Sequence, residues 1–191
     1  MSLAQADPAG PRSALPVVLV LASGRGERFI ASGGSGPKLQ ALLAGRPVLE
    51  HALAAVRASG LPWHLEDAGH PGMGDSISAA VRATRGAPGW LVLPGDLPLV
   101  LPETLRAVAR ALRSDPLVLP VFRGVRGHPV GFSAAFGPQL EVLEGKQGAA
   151  RILRAHHAIE LGVDDAGVVT DVDTLDDLAA AGQLLAARQA F

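Results

Sequence analysis

Val17 to Leu21 is an unbroken aliphatic run, and the basic, glycine-rich turn behind it limits what the chain can become. So short an apolar run cannot cross a membrane. With no polar alternation, it suits a strand buried on both faces of a parallel sheet. Gly24 and Gly26 then permit positive φ and close backbone approach, so successive N–H groups can converge on an anion at the strand's C-terminal end. Arg25, Arg28 and Lys38 add cations to that cradle. Such a loop after the first strand of an α/β chain outlines a triphosphate site. Neither common phosphate motif applies. Phe29 stands where a Rossmann fingerprint needs its third glycine, and Pro37-Lys38-Leu39 does not supply the Gly-Lys-Ser/Thr of a Walker loop.

A chain of 191 residues fits one α/β domain of ordinary size, expected over residues 16–191. Residues 1–15, with one arginine, several Pro and Gly and no long apolar core, read as a flexible tail rather than a signal peptide. With 17 basic and 18 acidic residues and no Tyr, neither a cationic surface nor a stacking platform for nucleic acid is expected. No membrane segment is expected either. Cys is absent, which removes thiolate metal sites and cysteine nucleophiles and is compatible with a cytoplasmic setting.

Along the chain, helices are expected over residues 47–58, 77–84, 102–114 and 175–187, from apolar spacing and from terminal Pro, Gly and Ser/Asp/Thr signals. Strands are expected over 63–66, 90–93 and 116–122. A tight turn at 123–127 leads into an antiparallel segment, and a last strand follows near 168–173. Only one short strand fits between residues 60 and 72, where Trp63, His64 and His70 read as an edge strand and its turn. Asp75 or Ser76 can cap the helix that follows, and Thr174 with Asp177 suits a capping box before the last one. Asp96 follows a buried strand directly, so its carboxylate points into the crevice where parallel sheets bind ligands, and such a group suits Mg²⁺. Alternation puts Asp171 and Asp173 on one face, where Asp173 can complete a metal shell.

These segments carry a resemblance. Leu21-Ala22-Ser23-Gly24-Arg25-Gly26-Glu27-Arg28-Phe29, followed by Pro37-Lys38-Leu39, resembles the signature of the MobA/MocA-like nucleotidyltransferases. Further matches in order are Gly72-Met73-Gly74-Asp75-Ser76-Ile77, Gly95-Asp96-Leu97-Pro98, Arg126-Gly127-His128-Pro129-Val130, the turn at 144–151 and Asp171-Val172-Asp173-Thr174. The resemblance implies a three-layer α/β/α Rossmann-like nucleotidyltransferase fold, with a mainly parallel sheet and one antiparallel strand. It implies transfer of a nucleoside monophosphate to a phosphorylated acceptor, with Mg²⁺ as cofactor. Leu21 to Gly26 and Ser76 would bind nucleotide, and Arg28, Lys38 and Asp96 would carry catalysis. Asp96 and Asp173 would hold metal, and Arg126, Gly127, His128 and Lys146 would line the acceptor pocket. Ala22-Ser23 resembles the cytidylyl branch, which favours CTP over GTP. The acceptor implied is molybdopterin or its molybdenum complex, and a molybdoenzyme or other protein is a further partner. Sugar-phosphate nucleotidyl transfer, or nucleotide or partner binding without turnover, stands as the alternative. The chain departs from the pattern in one missing βα step between residues 60 and 72, a longer Gly/Ser run before Lys38, and Ile30 and Leu175 in place of the usual Gly and Pro.

Overall fold

The computed structural model describes residues 15–24 and 26–189; Arg25 and residues 1–14, nearly all of the expected tail, lie outside them. In chain order the elements are β1 (Val17–Leu21), α1 (Glu27–Ala31), β2 (Leu42–Leu43), β3 (Arg46–Pro47), α2 (Val48–Ser59), β4 (Trp63–Glu66), α3 (Met73–Ala83) and β5 (Gly89–Pro94). Then come α4 (Pro102–Ala111), β6 (Leu117–Phe122), β7 (Val125–Arg126), β8 (Val130–Ser133), α5 (Gly137–Leu140), α6 (Ala150–Ala155), β9 (Ile159–Gly162) and α7 (Leu175–Gln189).

The main sheet runs β4-β1-β5-β8-β6, with β7 and β9 also on β6. Strands β4, β1 and β5 are parallel to one another, β8 is antiparallel to β5 and β6, and β9 is parallel to β6. β7 and β8 are two pieces of one antiparallel arm, interrupted at Gly127–Pro129. β1 shows why its sequence has no polar alternation. Val18 and Val20 pack into a cluster with Leu53, Val56, Leu105 and Val108 of α2 and α4. Leu19 and Leu21 pack on the other face, among Ile77 and Val81 of α3 and Phe136 and Ile152. A strand covered on both sides gains nothing from a polar face. The fold is thus α/β, helices covering both faces of a mostly parallel sheet. β4 is an edge strand, as the short interval between residues 60 and 72 implies.

Three local expectations are revised. The last strand lies at Ile159–Gly162, not near 168–173, because Asp165 accepts from the Gly167 N–H and starts a 3₁₀ turn over Ala166–Val169. The helix expected from residue 77 begins at Met73. Asp75 does not cap it; its carboxylate accepts from Gly145 N at 2.9 Å and ties in a distant loop. The capping box at Thr174 and Asp177 is present in both directions: Asp177 N donates to Thr174 Oγ1 at 3.2 Å, and Thr174 N to Asp177 Oδ2 at 2.8 Å.

Asp165 is 1% exposed and accepts from Leu101 N, Thr104 Oγ1, Gly167 N and Arg188 Nη2, all at 2.8–2.9 Å. One carboxylate thereby joins α4, the 3₁₀ turn and the end of α7. Removing it strands buried donors and an arginine. Asp165→Ala is expected to lower unfolding free energy by about 3–5 kcal/mol, which equilibrium urea denaturation would read. A loss below about 1 kcal/mol would mean that these donors find water instead.

Candidate functional site

The site is assembled from three distant segments by main-chain contacts that glycine permits. Gly95 N donates to Leu21 O at 2.9 Å, drawing the ends of β5 and β1 together. A Cβ at Gly95 would press on Leu49 and on that same carbonyl. Val172 N donates to Asp96 O, also at 2.9 Å, which fixes the strand of residues bearing Asp173 beside Asp96. The loop after β1 folds over Lys38. Gly26 has φ +65°, and a Cβ there would meet the Lys38 side chain and backbone N at 3.3 Å. The Gly/Ser run ahead of Lys38 turns back on α1, Gly34 N donating to Phe29 O where the Phe29 ring leaves no room for a side chain.

Charge converges as a result. Lys38 Nζ donates to Asp96 Oδ2 at 2.5 Å and to Asp173 Oδ1 at 2.7 Å, and Arg28 Nη2 lies 2.5 Å from Asp173 Oδ2. The lysine is buried, 8% exposed, whereas the Arg28 side chain is 75% exposed. Burial would lower the Lys38 pKa, but Asp96 and Asp173 outweigh it and hold the ammonium above the ordinary lysine value. Burial would raise Asp173, but the Lys38 hydrogen bond and the charges of Lys38 and Arg28 carry it below the ordinary aspartate value. Asp171 moves the other way, pushed up by burial and by its neighbours Asp173 and Asp96. The sign for Asp173 follows from its depression. Its pairing contributes stability above the ordinary aspartate pKa and loses it as pH falls through the lower folded value. Lys38, being raised, contributes below the ordinary lysine pKa and loses that contribution as pH climbs through its higher folded value. Between those limits Lys38 and Asp173 are both charged.

These groups border a cleft of about 330 Å³, a size that suits a small ligand. Of the residues expected to bind nucleotide, Leu21, Ser23, Gly24, Gly26, Arg28 and Lys38 line it, and so does Ser76. Asp96, Asp173 and Lys146 complete that set. Ala22 does not line the cleft; its N–H donates to Glu66 O at 2.8 Å, and Arg25 lies outside the described residues. Arg126 pairs with Glu160 on β9, its Nε donating to Oε1 at 2.7 Å, and stands apart from the cleft lining. Gly127 packs against Val168 O so closely that a Cβ would collide, and His128 N donates to the same carbonyl at 2.9 Å. Burial pushes the His128 imidazole below its ordinary pKa, against the Val92 carbonyl and the Asp96 charge, and its Nδ1 is buried without a partner. His70 also lines the cleft, where the sequence favours a turn residue but allows one that lines a more open pocket.

No group of three or more His, Cys, Asp or Glu among the described residues is arranged to hold a metal ion. The pair Asp96 and Asp173 nevertheless fits a hard divalent cation. Both carboxylates reach one nitrogen, and Mg²⁺ takes one or two carboxylates together with phosphate oxygens and water. Lys38 occupies the space between them.

The profile of the MobA-like NTP transferase domain matches residues 53–159. The chain belongs to that family. Curated relatives include the purine catabolism protein PucB of Bacillus subtilis, 31% identical over 111 residues, and a 2-C-methyl-D-erythritol 4-phosphate cytidylyltransferase of Cereibacter sphaeroides, 34% over 146. A phosphoenolpyruvate guanylyltransferase of a Mycobacterium species is 38% identical over 124 residues. These matches take in 56%, 59% and 61% of this chain, and the chain spans 54%, 64% and 53% of those relatives. Rv0371c of Mycobacterium tuberculosis superposes with a TM-score of 0.73 at 24% identity, covering 88% of this chain and 98% of that one. Its manganese complex gives 0.70 at 23% identity, covering 87% and 97%. At those identities the superpositions establish the fold.

With Lys38 placed between Asp96 and Asp173, an ammonium and a divalent cation compete for the same oxygens. Lys38→Gln is expected to bind Mn²⁺ without nucleotide about tenfold or more tightly than the parent, since unit charges about 4 Å apart near a protein surface interact by several kcal/mol. Paramagnetic titration of free Mn²⁺ would read this. Equal affinity in the two proteins would show that the lysine does not guard the carboxylates.

Proposed function

We propose that this chain moves a nucleoside monophosphate, CMP by preference, from a nucleoside triphosphate to a small phosphorylated acceptor and releases pyrophosphate. The observation that carries the reading is the meeting of Lys38, Arg28, Asp96 and Asp173 in one cleft beyond the C-terminal ends of parallel strands. A phosphate oxygen of the acceptor attacks the α-phosphorus in line. The bond from that phosphorus to the oxygen bridging to the β-phosphate breaks, and pyrophosphate departs. Catalysis of this kind is mostly positioning and charge neutralisation.

Each role follows from position. Lys38 is held by two carboxylates until a triphosphate offers its ammonium another anion, and it then faces the charge that grows on the α-phosphate. Arg28 is exposed at the mouth and, among the described residues, is tethered by Asp173, so it can swing to the β- and γ-phosphates as they leave. Gly24 and Gly26, beside Lys38, let the loop backbone come close to the triphosphate. A divalent cation between Asp96 and Asp173 would supply charge neutralisation at the phosphates. Lys146 is exposed on the cleft wall and suits the anionic group of the acceptor.

Ala22-Ser23 favours the cytidylyl branch, and the relatives' names cover both cytidylyl and guanylyl transfer. One structural neighbour is a molybdopterin-guanine dinucleotide biosynthesis protein A from Archaeoglobus fulgidus, with a TM-score of 0.64 and 20% identity. A molybdopterin-like phosphate is accordingly the acceptor proposed first, with sugar phosphates behind it.

With Mg²⁺ and saturating CTP the parent is expected to gain about 2.7 kcal/mol at a hundred times the dissociation constant, a midpoint rise of roughly 5–10 °C. Asp96→Ala is expected to keep its fold and lose pyrophosphate release by about a hundredfold or more. A well-folded parent that shifts with no nucleotide, and releases no pyrophosphate with any phosphorylated acceptor, would overturn the transferase reading in favour of a domain that binds a partner without turnover.

A further inference from the structure

At the edge of the sheet, beside the cleft, stands a cluster that the transfer chemistry does not use. Glu66, the last residue of β4, is 7% exposed, and its two carboxylate oxygens face two imidazoles. His70 Nε2 donates to Oε1 at 3.0 Å, His64 Nε2 to Oε2 at 3.3 Å, and the Ala68 N–H also donates to Oε1 at 3.3 Å. Since a carboxylate can only accept, the His70 proton on Nε2 is committed, and in its uncharged form the ring carries a lone pair on Nδ1. No group among the described residues bonds that Nδ1, and it is not among the buried unpartnered atoms.

The neighbours of His70 along this wall are in the same condition. Ser23 donates its hydroxyl proton to Glu66 O at 3.3 Å, and Ser76 donates its own to Gly72 O at 3.2 Å. All three side chains line the cleft, and all three have given their protons to the 66–72 segment. What remains on offer is lone pairs. The cations of the cleft take the triphosphate, so the base falls to this wall of acceptors.

We propose that His70 is a specificity-determining residue that reads the nucleobase by accepting a hydrogen bond from its exocyclic amino group, with buried Glu66 as the positioning residue that fixes the acceptor tautomer. The inference rests on the nucleotide reading above and sharpens it. An amino group meets the lone pair with a donor, whereas a keto oxygen in its place sets two acceptors against each other. A polar group so left unpaired is the strongest form of rejection a site can make. CTP is therefore preferred to UTP, and a purine, where the cleft admits one, must carry the amino group too.

The test is calorimetric binding, with Mg²⁺ and the full chain, of CTP against UTP, ATP against ITP and GTP against ITP. In each pair an exocyclic amino group is exchanged for oxygen or hydrogen. The best ligand is expected to carry the amino group and to exceed its counterpart by about tenfold, the upper range for one net hydrogen bond. His70→Ala should cut that ratio to about threefold or less, whereas His70→Asn, which returns an oxygen acceptor, should recover part of it. Glu66→Gln, which can donate to the ring and shift its proton to Nδ1, should narrow or reverse the ratio. UTP or ITP as the best ligand, or a ratio unmoved by His70→Ala, overturns the proposal while leaving nucleotide binding intact. Failure of every nucleotide to bind overturns the nucleotide reading, and this one with it.

Discussion

One ammonium group, shared by two carboxylates far apart in the chain, holds the cleft in shape. Lys38, Asp96 and Asp173 are brought into contact by sequence separations of 58 and 135 residues. Bringing like charges together in a half-buried place is unfavourable unless a cation lies between them. The lysine supplies it. Without that charge Asp96 and Asp173 would repel across the crevice, and beside them burial, with the charges of Asp173 and Asp96 adding to it, pushes the Asp171 carboxyl up. The scaffold accordingly spends main-chain bonds, from Gly95 to Leu21 and from Val172 to Asp96, on keeping the three groups in register.

Much of this was legible because its signals are local. A buried strand, a glycine turn and nearby cations occupy fewer than twenty-five consecutive residues, and Asp96 follows its strand directly. The capping box at Thr174 and Asp177 is likewise read within four positions. What escaped reading is held by distant partners. Nothing near Asp165 announces that it collects donors from Leu101, Thr104 and Arg188, and nothing near Asp75 points to Gly145. Val168-Val169-Thr170 has the composition of a strand, yet the bond from Gly167 to Asp165 coils its start into a 3₁₀ turn. Glu66 and His70 read as the end of an edge strand and its turn, and only the fold shows that the strand ends at the cleft wall.

The family resemblance and the physical reading bear on different parts of the cleft. Glycines and charges near Lys38 make up one end of the cleft. Ser23, His70 and Ser76 make up another part of its lining. With β4 as the edge strand, its last carboxylate is covered by two imidazoles rather than by another strand among the described residues. The margin of the sheet is thus a polar surface.

The close approach of two loops carries a last consequence. Gly74 N donates to Gly145 O at 2.8 Å and Asp75 accepts from Gly145 N, while a Cβ at Gly72 or Gly74 would strike the backbone of residues 144–145. The turn at the start of α3 and the turn presenting Lys146 are therefore a single rigid jaw. They travel together or not at all, so any movement of Lys146 toward the cleft also shifts the backbone beside Ser76.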